Sequence, residues 1–277
     1  MPLQTSGQIS LSDIQTEFGG SNPISISEYY GIRAGVPSSG QISLSNFYNK
    51  GVLSATYLGR YYQPNGSANF TLTVNNGAGT ANDLIVVCWA LETAGGYAQY
   101  SETFTLNNTA MSQAIFENPL GSGGAGTSRV GIWYMFPSTQ TSIVGDTTLT
   151  LKKTSSSTHS VFRSAATVYR INNGAQGTIS GGGSQVTGQT SSISASNSNT
   201  TNKLIVVASQ MADGSGHTLS TNNGTITQHD LINSGSANGF GKSGFVTGPT
   251  GTNTVTLTRV GTGGSSSIDT IVTAVIA

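Results

Sequence analysis

Leu84-Ile85-Val86-Val87-Cys88-Trp89-Ala90-Leu91 is the longest unbroken apolar run in the chain, and its reading decides the fold. Its eight residues are too few for a membrane helix, which needs roughly 20. A strand sends alternate side chains to opposite faces, so a run apolar at every position is apolar on both. That is what a central strand covered on two sides requires. Upstream, Phe70-Thr71-Leu72-Thr73-Val74 alternates cleanly, as a half-buried strand does. Asn-Gly pairs at 65–66, 76–77, 173–174, 223–224 and 238–239 supply the positive φ that hairpins and tight loops use. From Val52 onward no helical period is visible.

The apolar run has a second copy. Asn82-Asp-Leu-Ile-Val-Val87 matches Asn202-Lys-Leu-Ile-Val-Val207, and Gly145-Asp-Thr-Thr-Leu-Thr-Leu-Lys152 matches Gly251-Thr-Asn-Thr-Val-Thr-Leu-Thr258. Each second match is followed by one more alternating strand, Ala166 to Ile171 and Thr270 to Ile276. The expectation is an all-β chain: residues 1–50 form a small N-terminal segment of short strands and helices, and 51–277 a duplicated, jelly-roll-like β-sandwich domain. Its similar halves span about 51–173 and 190–277, joined by the Gly/Ser/Thr-rich segment Gly174 to Ser198. The two halves pack most economically as one sandwich, with two tandem sandwiches as the other possibility. Ile276-Ala277 continues a strand, which predicts a C-terminus tucked into the sheet.

Of 277 residues, 11 are Lys or Arg and 11 are Asp or Glu, so charge is scarce and the formal net charge is zero. Such a chain has no electrostatic footprint for a polyanion, which argues against nucleic-acid binding. No run is long enough for membrane insertion, and Met1 to Gly7 has neither the basic nor the apolar region of a signal peptide. The expected site of synthesis is a cytoplasm. Cys88, the single cysteine, has no partner for an internal disulfide and reads as a small buried hydrophobe.

The first 50 residues repeat one motif. Gln8-Ile-Ser-Leu-Ser-Asp-Ile-Gln15, Pro23-Ile-Ser-Ile-Ser-Glu-Tyr-Tyr30 and Gln41-Ile-Ser-Leu-Ser-Asn-Phe-Tyr48 align without a gap. In the first copy, Ile9 and Leu11 suit a short extended piece, with Ser12 as an N-cap and Gln15 three residues on completing a capping box. Asp13 would favour the positive end of the helix that follows, and Gly19-Gly20 would end it. Three copies make a small core, since chains under roughly 40 to 60 residues usually need metals, disulfides or partners. The surplus apolar surface predicts docking on other subunits through Ile9, Leu11, Ile14, Phe18, Ile24, Ile26, Tyr29, Tyr30, Ile42, Leu44, Phe47 and Tyr48. The plainer alternative is a cap folded onto its own β domain.

This opening, with Ser39-Gly-Gln-Ile-Ser-Leu-Ser-Asn-Phe-Tyr48, resembles the N-terminal module of many tailed-bacteriophage virion proteins, especially tail-fibre-like ones. The resemblance covers about 48 residues. It implies a virion component, made in the host cytoplasm and attached through this module to other virion proteins. Fibres of this kind are commonly trimers, so a homo-oligomer is implied too. A host-attachment role for the β domain heads the expectations, with a capsid-decorating or tail-tip architectural protein as the alternative. The module brings no catalytic residues with it.

Little else in the chain suggests chemistry. His159 has no Cys or acidic neighbour, which disfavours zinc. Asp213 with His217 and His229 with Asp230 could in principle meet as a metal site or triad, but isolated loop histidines are usually solvated, and that is the better reading. Glu92, Glu102 and Glu117 could be imagined as a glycosidase pair, but solvated loop carboxylates are the better reading. Gly121 to Gly126 and Gly181 to Gly183 lack the ending of a phosphate cradle. No catalytic residue, metal site or cofactor is expected, and the chain is read as a non-enzyme. Tyr61, Tyr62, Tyr97 and Tyr100 stand beside polar residues in settings read as loops. Rings with hydrogen-bonding neighbours suit a host cell-surface glycan, although tyrosines at strand ends commonly pack on their own sheet.

Overall fold

The structure is a computed structural model that describes residues 3–4, 6–33, 35–48, 50–64, 69–93, 102–117, 127–138, 143–155, 161–188, 191–211, 216–233, 240–260 and 268–277. The N-terminal part holds the helix α1 (Leu11–Phe18) and single 3-10 turns at Ile26–Tyr29 and Leu44–Phe47. Strands then follow: β1 (Ser54–Pro64), β2 (Phe70–Gly79), β3 (Leu84–Thr93), β4 (Glu102–Leu106), β5 (Thr109–Ala110), β6 (Ser112–Glu117), β7 (Thr127–Met135), β8 (Gly145–Ser155) and β9 (Val161–Asn172). The second half continues with β10 (Ile179–Gly188), β11 (Ser192–Asn197), β12 (Leu204–Met211), β13 (Gly216–Thr221), β14 (Thr225–Asn233), β15 (Phe240–Thr247), β16 (Asn253–Val260) and β17 (Ile268–Ile276).

Each half is a sandwich of two antiparallel sheets. In the first, the order β1-β9-β3-β7-β6 faces β2-β8-β4-β5; in the second, β10-β17-β12-β15-β14 faces β11-β16-β13. Strand for strand, the two larger sheets carry the same order, and so do the smaller ones apart from the short β5. The path, with first, last, third and sixth strands beside one another against second and seventh, is that of a jelly roll. Even the irregularities correspond, since both opening strands are bulged, between Tyr57 and Gly59 and between Gly181 and Ser184.

The larger sheets of the two halves pack on each other, which makes four β layers. Along β3, Leu84, Val86, Cys88 and Ala90 point into this seam, where they meet Leu204, Val206 and Ala208 of β12. The alternate residues Ile85, Val87, Trp89 and Leu91 fill the first sandwich, and Ile205, Val207 and Met211 the second. Both apolar runs are therefore covered on two sides, but each half is a sandwich of its own and the two are stacked face to face, in place of the single sandwich expected. β3 lies over β12, β1 over β14 and β6 over β10. A two-fold axis running along the strands between β3 and β12 produces this arrangement.

The segment expected to link the halves is instead part of the second sandwich. Gly174 to Ser198 contains β10 and β11, and the second half begins at Ile179 rather than near residue 190. Its glycines serve close approach: a Cβ on Gly183 would lie 2.3 Å from the Ser196 carbonyl oxygen, and one on Gly182 would lie 2.0 Å from Asn197 Oδ1. The actual connection is the short turn at Gly174–Gln176, entered through Asn173 at φ +62°. At the other end of the half, Ile276 is fully buried between β10 and β12, and the Ala277 N–H donates to the Thr178 carbonyl at 3.0 Å.

Candidate functional site

The repeated motif builds a closed ring. In each copy the first serine of the Ser-x-Ser pair, Ser10, Ser25 or Ser43, is the N-cap of a helical turn. The side chain three residues later, Asp13, Glu28 or Asn46, turns back to accept the serine N–H at 2.8, 3.1 and 2.8 Å. The expected cap at Ser12 is thus displaced by two residues, to Ser10. Such caps are worth about 1 kcal/mol each. Of the three turns only the first, ended at Gly19 with φ +74°, extends into an α-helix.

The position after that capping side chain points to the centre in every copy. Ile14, Tyr29 and Phe47 are buried together there, with Tyr29 and Phe47 edge to face at a centroid distance of 6.0 Å. The next side chain reaches the residue just ahead of the following copy. Gln15 Nε2 donates to Asn22 Oδ1 at 3.3 Å, the Tyr30 hydroxyl donates to the Gly40 carbonyl, and the Tyr48 hydroxyl closes the ring on the Gly7 carbonyl. The Leu3 N–H donates to the Lys50 carbonyl at 2.7 Å and fastens the ends.

This geometry corrects the expected docking surface. Ile9, Ile14, Tyr29 and Phe47 are interior residues of the ring, so they cannot be contact residues for another subunit while it is folded. Leu11, Phe18, Tyr48, Ile24, Ile26, Ile42 and Leu44 are partly buried against the same core, and Tyr30 is partly buried. The apolar surplus is smaller than composition implied, because three-fold closure lets each copy cover its neighbour.

The ring is docked on the near end of the sandwiches. The Arg33 guanidinium Nη2 donates to the Asn173 carbonyl at 2.9 Å, and the Val52 N–H donates to Glu17 Oε1 at 2.9 Å. Between ring and sandwiches lies a crevice of about 220 Å³ lined by residues of the ring (Phe18, Ile32, Arg33), by Val52 and Leu53, and by the turns around Lys203 and Pro249. Arg33 is 4% exposed, and burial pushes its guanidinium down to about 10. Neither Arg33 nor this crevice is signalled by any sequence motif.

Strand direction gives the body a second end. β1, β3, β6 and β8 run away from the ring and β2, β4, β7 and β9 return toward it, as β10, β12, β14 and β16 run away and β11, β13, β15 and β17 return. Of the expected glycan contacts, Tyr97 and Tyr100 fall outside the described residues. Tyr61 and Tyr62 lie in β1, not in a loop, and adjacent strand residues face opposite ways. Tyr61 stacks on Phe70 at 4.2 Å in the first sandwich; Tyr62 packs on the seam side, with the Arg60 guanidinium 5.2 Å from its ring centre. They form no common platform.

The carboxylates read as solvated loop residues are strand residues with partners. Glu102 is buried, with Lys153 Nζ at 2.7 Å and Arg129 at 3.5 Å. Glu92 pairs with Arg163, and Glu117 accepts the Ser184 hydroxyl at 2.6 Å. Glu92 belongs to the seam side of its sheet and Glu102 to the sandwich interior, so these two carboxylates do not converge. The second sandwich carries an ion pair at the corresponding depth, Arg259 with Asp269 at 2.9 Å.

His159 and Asp213 lie outside the described residues. His217 is buried in the second sandwich, and burial drives its imidazole down to about 4. His229 faces the seam instead: Tyr57 stacks on its ring at 4.3 Å, and its Nδ1 lies 3.0 Å from the Tyr169 hydroxyl. That hydroxyl also meets Ser243 Oγ, to which Thr167 donates, both at 2.8 Å. The two histidines are therefore in different layers and do not meet. Among the described residues no group of three or more His, Cys, Asp or Glu side chains could hold a metal. Cys88 is fully buried, which raises its thiol well above the usual range.

These elements define a pseudo-two-fold pair of jelly rolls capped at one end by a pseudo-three-fold ring. Comparison of the chain with known protein families, with curated proteins and with solved structures gives no match.

Proposed function

We propose that this chain is a tailed-bacteriophage virion protein, fastened to the particle by its N-terminal ring and presenting the far end of its paired jelly rolls to the host surface. The observation that carries the reading is polarity. The ring whose sequence resembles a virion-attachment module sits at one end of the body, and in both jelly rolls alternate strands run away from it to a second, opposite end. Attachment would use the partly exposed rim of the ring, Ile24, Ile26, Ile42 and Leu44, and not its buried centre. The proposed partners are other virion proteins, with a homo-oligomer, a trimer first, as the assembled state. The proposed mode of action is non-covalent binding without turnover, in keeping with carboxylates that are neutralised by their own cations. The reading is tested by complementing particles with a chain lacking residues 1–50. The truncated chain should fold yet stay off the particle, and incorporation at the level of the intact chain would refute it.

A further inference from the structure

We propose that the crevice between the ring and the sandwiches binds a carboxylate carried on a short apolar stem, with Arg33 as its principal contact and Lys203 as the second cation. Four Lys or Arg residues are buried in the described chain: Arg33, Arg129, Lys153 and Arg259. Arg129 and Lys153 share Glu102, and Arg259 has Asp269. Arg33 alone of the four has no carboxylate. Among the described residues its single hydrogen bond goes to the Asn173 carbonyl, and its Nε and Nη1 have no hydrogen-bond partner. Buried cations are normally paired, because an unpaired charge out of water is costly.

This exception stands in the wall of an open crevice. Lys203 lines the same space, no carboxylate is among the lining residues, and Glu17 beside them accepts the Val52 N–H. The remaining wall is largely apolar, with Phe18, Ile32, Val52, Leu53 and Pro249. Two basic residues in a wall that is otherwise mostly apolar suit an anion that carries a hydrocarbon stem. A guanidinium presents the parallel N–H pair that a carboxylate accepts. The volume, about 220 Å³, equals roughly seven water molecules at about 30 Å³ each, the scale of a small organic acid or one side chain. A ligand here would touch the ring and the near-end turns of the second sandwich at once, and so fix how the ring is held on the body.

The test is a titration of the full chain with sodium butyrate at constant ionic strength, followed through the Arg33 Nε–H resonance. Butyramide serves as the neutral analogue and inorganic phosphate as the competing anion class. Butyrate should shift the resonance saturably, while butyramide should not. Lys203→Gln should weaken the response several-fold with an unchanged melting temperature, and Arg33→Gln should weaken it roughly tenfold or more, as loss of a hydrogen bond to a charged group does. Should Arg33→Gln fail to fold, the Lys203→Gln variant and the butyrate–butyramide contrast decide the matter. No shift beyond that of added chloride, an equal response to butyramide, or saturation by phosphate but not butyrate would each overturn the proposal.

Discussion

Replacing Phe47 by Ala should unfold the ring and leave the sandwiches intact. Phe47 is fully buried at the ring's centre, edge to face with Tyr29 at 6.0 Å and 6.5 Å from Phe18. Truncating such a residue costs about 3–5 kcal/mol, of which the two ring contacts are worth about 0.5–1.5 kcal/mol each. A core of this size rarely supplies more than about 3–5 kcal/mol in total. The loss therefore matches everything the ring has, although the body, anchored by its own three larger cores, is untouched. Amide hydrogen exchange resolves the two parts. Protection across residues 9–48 should fall to the level of an unfolded chain, while 84–91 and 204–211 keep theirs. Ile24→Ala, at a position only partly buried, should leave most protection in place. Survival of ring protection in Phe47→Ala would refute the argument that its stability comes from the three central side chains.

Val86→Asp and Val206→Asp each put an unpaired charge into the dry seam, where both valines are wholly inaccessible, and should cost several kcal/mol in thermal or denaturant unfolding. Asp269→Asn leaves Arg259 buried without its counter-ion and should cost about 3–5 kcal/mol in the same assay. His217 titrates at about 4 in the fold because it is buried, against about 6.5 unfolded, so the folded chain binds fewer protons between those values. Its contribution is fully present above pH 6.5 and is lost as pH falls toward 4, by about 3 kcal/mol on completion. His217→Phe, which installs the residue type of the corresponding Phe104, should flatten that part of the pH–stability curve.

The apolar runs at 84–91 and 204–207 were enough to read two doubly covered central strands, because a strand's faces alternate and no polar residue interrupts them. What they could not convey is which sheet covers each face, since a second sheet of the same sandwich and a sheet of the other sandwich require the same apolar surface. The helix cap was displaced because Ser10 and Ser12 both have a suitable side chain three residues on, Asp13 and Gln15, and only tertiary closure chooses between them. Glu102 looked like a loop residue because its cations lie 27 and 51 positions away. Gly181 to Gly183 looked like a flexible link for a similar reason: the backbone they let approach, at Ser196, belongs to another strand. Arg33 was invisible as a site residue because its significance lies in the carboxylate it lacks.

The most direct test of the attachment reading is a reconstruction by electron cryomicroscopy of particles assembled with this chain. The ring, with its Ile24, Ile26, Ile42 and Leu44 rim, should lie against other virion proteins, and the connections at the far end of both jelly rolls should face solvent. A map with the far end buried in the particle and the ring exposed, or particles that contain no copy of the chain, would contradict the account.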